Sequence, residues 1–120
     1  MKLAILIHFL ESDRDKVKNI LSSLQTQLDK LNRDDEAEAV FYSDNGETSE
    51  EEKKDWLLRQ TKAKSYVFVD ANTEVDEYFI LKRLNAIKNE DGTFTNRPFE
   101  DMDPFLDREE FKNEMIVKIV

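Results

Sequence analysis

The sequence predicts an α/β fold: three layers built around a mostly parallel sheet. Three observations carry this reading. Short apolar runs alternate with amphipathic helical patterns, in the order β-α-β-α-β-α over residues 1–88. Parallel strands joined by helical crossovers are the default for that alternation. The first run, Leu3 to Phe9, is apolar at nearly every position, which suits a strand covered on both faces. The third run, Tyr66-Val67-Phe68-Val69, stops abruptly at Asp70. In open α/β sheets ligands sit outside the carboxyl ends of such strands.

The elements follow in order. After the first strand, Ser12 or Asp13 is placed to cap a helix. Its apolar residues Val17, Ile20, Leu21, Leu24, Leu28 and Leu31 recur at helical spacing and mark one face. Asn32 to Glu36 is polar and breaks the pattern. Ala37 to Tyr42 reads as the second strand. Ser43-Asp44-Asn45-Gly46 is a turn signal, with Asn and Gly tolerating positive φ. Thr48 or Ser49 then caps a second helix, with Glu50, Glu51 and Glu52 in its first turn, where acids complement the helix dipole. Trp56, Leu57 and Gln60 carry this helix to Ala63. Ser65 to Val69 is the third strand. Thr73 is expected to cap a third helix with Asp76 three residues on, a variant of the capping box, and Val75, Phe79, Ile80, Leu84 and Ile87 supply its apolar side. Beyond Lys88 come a turn at Asn89-Glu90-Asp91-Gly92, a short strand candidate at Thr93–Thr95, an irregular acidic stretch from Arg97 to Asp107, and a last strand from Met115 to Val120.

Composition narrows the function. The chain has 120 residues, 38% of them charged and 39% hydrophobic, as expected of a single folded domain, 1–120, rather than a disordered tail. There is no cysteine, so disulfides, thiolate metal sites and a cysteine nucleophile are excluded. A formal net charge of −9 repels a phosphate backbone and argues against nucleic acid as a partner. It suits a basic protein partner. The first ten residues lack the long apolar region and cleavage site of a secretory signal. No stretch is long and apolar enough to span a membrane, and a cytoplasmic location is expected. Two glycines are too few for a dinucleotide loop or a P-loop. His8 is the only histidine, and neither Ser43 nor Ser65 sits in a nucleophile elbow.

Three stretches resemble a known family: LAILIHFLESDRDKVKNILSSLQTQL, SDNGETSEEEKKDWLLRQTKAKSYVFVD and TEVDEYFILKRLNAIK. Their layout is similar to the nucleotide-binding half of a family 2, GT-A type glycosyltransferase, in particular small phage and bacterial members. The middle stretch is the most specific. The resemblance implies a Rossmann-like domain that binds a nucleotide diphosphate sugar. His8, Phe9 and Asp44 would lie by the base, Lys53 or Lys54 by the phosphates and Asp70 by the ribose, with Asn45 also in the nucleotide-sugar site. Asp70 and Asn72 would hold Mg²⁺ or Mn²⁺, a hard cation with oxygen ligands that neutralises the leaving group.

The sequence also departs from the family. The acid cluster is reduced to Asp70-Ala71-Asn72-Thr73, and three glutamates open the helix expected near the diphosphate. The stretch after Lys88 is shorter than the acceptor half of full-length members. Asp101, Asp103, Asp107, Glu109 and Glu110 could supply a catalytic base, but their spacing selects none. The catalytic residue is therefore unassigned.

Simpler structural readings stand beside each candidate. A lone histidine at a strand end is commonly structural. Asp44 suits a turn, Lys53 and Lys54 suit pairing with Glu50 and Glu51, and Trp56 and Phe68 read as core. Two other α/β forms, a TIR-like and a receiver-like domain, match less well. The expectation is a nucleotide-sugar-binding domain with sugar transfer weakened or lost. The alternative is a non-catalytic acidic interaction protein, of phage accessory or anti-defence type, on the same scaffold.

Overall fold

The computed structural model describes residues 2–31, 36–87, 91–92 and 116–117. Strand β1 spans Leu3–Leu10, helix α1 Arg14–Leu31, β2 Ala37–Asp44, α2 Glu50–Arg59, β3 Ser65–Val69, α3 Phe79–Asn85 and β4 Ile116–Val117. The sheet order is β2-β1-β3-β4. Strands β1, β2 and β3 are parallel, with Leu3 opposite both Ala37 and Ser65. The short β4 joins β3 antiparallel through Tyr66↔Ile116. The chain is thus an α/β fold with a three-stranded parallel sheet of order 2-1-3 and flanking helices, Rossmann-like in general form.

The apolar run of β1 explains the layering. Every residue from Leu3 to Phe9 is buried. Side chains alternate across a strand, so Leu3, Ile5, Ile7 and Phe9 join one core with Val17 and Leu24 of α1 and Phe79, Ile80 and Leu84 of α3. Ala4 and Leu6 join a second core with Leu57 of α2, Ala63 and Tyr66. Helices α1 and α3 therefore cover one face and α2 the other. Burial of each such Leu or Ile contributes roughly 1.5–3 kcal/mol. No helix among the described residues is long and apolar enough to cross a membrane.

Several boundaries differ from the sequence reading, each for a local reason. A 3-10 turn, Glu11–Asp13, leads into α1, and helical geometry begins ahead of the expected caps. Strand β2 runs on to Asp44 because it pairs with β1 over its full length. Helix α2 starts as expected, with Ser49 Oγ accepting from the Glu52 amide, but it stops at Arg59. Thr73 does not cap α3, because its hydroxyl is engaged with Asp70, and α3 begins only at Phe79. Trp56, expected in the core, is 39% exposed. Lys53 and Leu57 occupy the buried side of α2, which turns Trp56 outward beyond edge strand β2, where it packs against Tyr42. Phe68 is only partly buried. Asp91 and Gly92 form part of a turn. The strand candidate at Thr93–Thr95 and the acids Asp101, Asp103, Asp107, Glu109 and Glu110 lie outside the described residues, as do 32–35 of the polar break.

Helix α3 is seven residues long, too short to hold together on its own. Its N-cap, Tyr78, makes no side-chain capping bond. Gln27 of α1 replaces it: its buried amide accepts from the Ile80 amide at 2.9 Å and donates to the Asp76 carbonyl at 2.7 Å. Leucine at this position keeps the bulk but takes the acceptor from the Ile80 amide and leaves the Asp76 carbonyl with only the longer bond from the Phe79 amide, 3.3 Å. Gln27→Leu is expected to cost about 1–3 kcal/mol, measured by urea unfolding. A change below about 0.5 kcal/mol, the range of neutral surface substitutions, would show that Gln27 does not hold α3.

Candidate functional site

The polar candidates gather at the carboxyl edge of the sheet. There β1 leads towards α1 on one face, while its neighbour β2 leads towards α2 on the other. Such divergence between adjacent strands is where open α/β sheets form ligand crevices. His8 lies one residue before the end of β1's buried run, Asp44 ends β2, and Asp70 follows β3.

Between β1 and β2 the polar groups bond to one another. Glu11 accepts from Arg14 through Nε and Nη2, both at 2.7 Å, and from the Ser43 hydroxyl of β2. Bonding to Arg14, then to Ser43, lowers the Glu11 pKa to about 2. The Arg14 guanidinium also lies over the Phe9 ring at 5.6 Å. The sequence reading did not single out Glu11. The available signal was an acid just past a strand with an arginine three residues on.

Asp44 is the most heavily engaged group. Its Oδ1 accepts from the Gly46 amide at 3.0 Å, and its Oδ2 accepts from the amide and hydroxyl of Thr48. Gly46 has a φ of 97°, the left-handed conformation this turn requires. Lys53 Nζ lies 3.0 Å from Asp44 Oδ1, and both side chains are largely buried. The Thr48 bond is the largest cause holding the Asp44 pKa at about 2. Asp44 thus fastens the β2–α2 turn to α2, and Lys53 is committed to that pair. The Asn45 amide donates to Glu47 at 2.7 Å, and Asn45 is exposed.

The β1–β3 side is different. His8 is buried on the α2 side, edge-on to Phe68 with ring centroids 6.1 Å apart. Its Nε2 lies 3.9 Å from Glu50 Oε1. Lys54, half-buried, is 3.3 Å from Glu50 and 5.0 Å from the centre of the Phe68 ring. Asp70 Oδ1 accepts from the Asn72 amide at 2.9 Å and the Thr73 hydroxyl at 3.1 Å. Its own amide donates to Thr73 Oγ1 at 2.9 Å. Asp70 is half-buried and Asn72 exposed. The charges of Glu50, Lys54, Asp70 and Lys53 all act on His8.

The structure therefore brings His8, Lys54 and Glu50 together beside Phe68, with Asp70 near enough for its charge to act on His8, and ties Asp44 and Lys53 into a separate buried pair. For a divalent cation, Asp70 offers one carboxylate with Oδ1 already bonded, and Asn72 a neutral carbonyl. No group of three or more His, Asp or Glu side chains able to hold a metal occurs among the described residues. A hard cation here would complete its shell with water and substrate phosphates.

Burial is the largest influence on His8 and lowers its pKa below 6.5; Lys54 and Lys53 act in the same direction, and Glu50 and Asp70 oppose them. The folded state thus binds its proton less readily than the unfolded chain. The stability that neutral His8 contributes is fully present above pH 6.5 and is lost as pH falls from there through the folded value. As the only histidine, His8 is readable by NMR titration. Its midpoint is expected below 6.5, and Glu50→Gln is expected to lower it further by removing the nearest acid. A midpoint above 6.5, or no response to Glu50→Gln, would contradict this geometry.

Compared with known proteins, the chain matches no family model, no curated protein and no solved structure.

Proposed function

We propose that this domain is the nucleotide-binding part of a glycosyltransferase-like scaffold, taking a nucleotide diphosphate sugar at its carboxyl edge, with sugar transfer weakened or lost. The observation that carries the reading is the juxtaposition of His8 and Lys54 at the Phe68 ring, with the Asp70 charge acting on His8, at the ends of the adjacent parallel strands β1 and β3. An aromatic ring, a neutral imidazole and a carboxylate are the groups that recognise a nucleoside: the ring stacks, the others bond to hydroxyls and base edges. Asp70 takes the ribose and, with Asn72, the Mg²⁺ or Mn²⁺ that accompanies the diphosphate. Lys54 takes the phosphate role rather than Lys53, whose ammonium is held by Asp44.

The same region explains weak chemistry. Glu50, Glu51 and Glu52 occupy the first turn of α2, and acids beside a diphosphate oppose its binding. One carboxylate holds a cation less well than an acid cluster.

A second reading is a non-catalytic interaction protein that meets a basic partner. Its support is the internal bonding of Glu11, Asp44 and Lys53, which leaves fewer groups for a ligand, together with the net charge of −9.

Calorimetric titration with UDP and UDP-sugars, with and without Mn²⁺, separates the two. Nucleotide binding strengthened by Mn²⁺ is expected, with Asp70→Ala removing a Mn²⁺-dependent gain of about tenfold or more. Absence of binding at millimolar ligand would sink the nucleotide-sugar reading, and a Mn²⁺ effect untouched by Asp70→Ala would remove Asp70 from the site.

A further inference from the structure

Helix α2 has an outward stripe that the nucleotide reading does not use. Glu52, Asp55, Trp56 and Arg59 recur at helical spacing, and Glu52, Asp55 and Arg59 are exposed. Trp56, the only tryptophan, is 39% exposed. It is supported from beneath by Tyr42 of β2, with ring centroids 5.0 Å apart and planes inclined at 58°. Long side chains on a helix lean towards its N-terminus, so the indole leans over the turn carrying Glu52. The result is an aromatic surface, backed by a second ring, with the carboxylates of Glu52 and Asp55 beside it and the single cation of Arg59 one turn further on.

We propose that this face of α2 docks an arginine-rich segment of a basic protein partner, with a guanidinium stacked on Trp56 and bonded to Glu52 or Asp55. The argument is charge complementarity. A guanidinium is planar, stacks on an indole, and donates to carboxylates in its own plane, whereas an ammonium does only part of this. The chain uses the same chemistry internally, where Arg14 lies over Phe9 while bonding to Glu11 through two nitrogens. The net charge of −9 draws a basic chain towards the surface, and Trp56 gives it a fixed point of attachment. This inference rests on the interaction reading and is independent of nucleotide binding at the carboxyl edge.

The test uses the whole chain at physiological salt, titrated with an arginine-only oligopeptide. Trp56 fluorescence reports on the surface itself and calorimetry gives the affinity. Saturable binding is expected, tighter than for a lysine-only peptide of equal length. Trp56→Ala is expected to weaken it about fivefold to tenfold, with Trp56→Phe retaining part of the affinity and guarding against misfolding. The double variant Glu52→Gln, Asp55→Asn is expected to weaken it more than Asp15→Asn, Glu74→Gln, which removes the same two negative charges elsewhere. If Trp56→Ala binds as tightly as wild type, the surface is wrong although an acidic interaction protein still stands. If no peptide binds, both fall. Self-association of the free chain that Trp56→Ala abolishes would assign the face to a second copy and overturn the proposal.

Discussion

The run from Leu3 to Phe9 needs cover on both faces of one strand, and this need orders the rest of the structure. Backbone bonds to β2 and β3 place β1 inside the sheet. Its alternating side chains then require separate apolar layers, one from α1 and α3, the other from α2. The chain must therefore leave adjacent strands towards opposite faces. That divergence falls between β1 and β2, at the carboxyl edge of the sheet.

Burying a strand to its end also places polar groups in a confined setting, where an unpaired charge is costly. The edge meets that cost by internal bonding. Glu11 links the ends of β1 and β2 through Ser43 and takes the Arg14 fork. Asp44 gathers Gly46, Thr48 and Lys53. Among the described residues the β1–β3 side keeps a mixed group, His8, Lys54 and Glu50 beside Phe68 with Asp70 acting on His8, whose members range from buried to exposed. The proposed recognition therefore falls on that side, while on the β1–β2 side the charged groups bond to one another.

Periodicity made the architecture legible: the doubly buried strand, the Val17-to-Leu31 face of α1, the Ser49 cap and the Asn45-Gly46 turn can all be read from residue order. Features set by tertiary partners were not legible. Thr73 has the spacing of a helix cap, but Asp70 claims its hydroxyl. Gln27 looks like a surface residue of α1, and only the docking of α3 gives it two backbone groups to serve. Trp56 has the character of a core residue, yet β2 is an edge strand and the helix rotation set by Lys53 and Leu57 leaves the indole outside. For the site, strand ends located the candidates and the Lys54–Glu50 pair followed from helical spacing, but the turn of Lys53 inward to Asp44 depended on helix rotation that no linear pattern carries.

Two surfaces of α2 emerge with distinct chemistry: an inner one, where Lys53 closes on Asp44, and an outer one bearing Trp56. The inner pair is the most direct test of the view that the β1–β2 edge spends its charges on folding. A double-mutant cycle with Asp44→Asn and Lys53→Met, read by urea unfolding, measures their coupling without reference to any ligand. Each single variant should destabilise the domain, Asp44→Asn by leaving Lys53 buried without its acid, and the double variant should lose clearly less than the sum of the two. Strict additivity would contradict the account and would return Lys53 to the groups free to meet a phosphate.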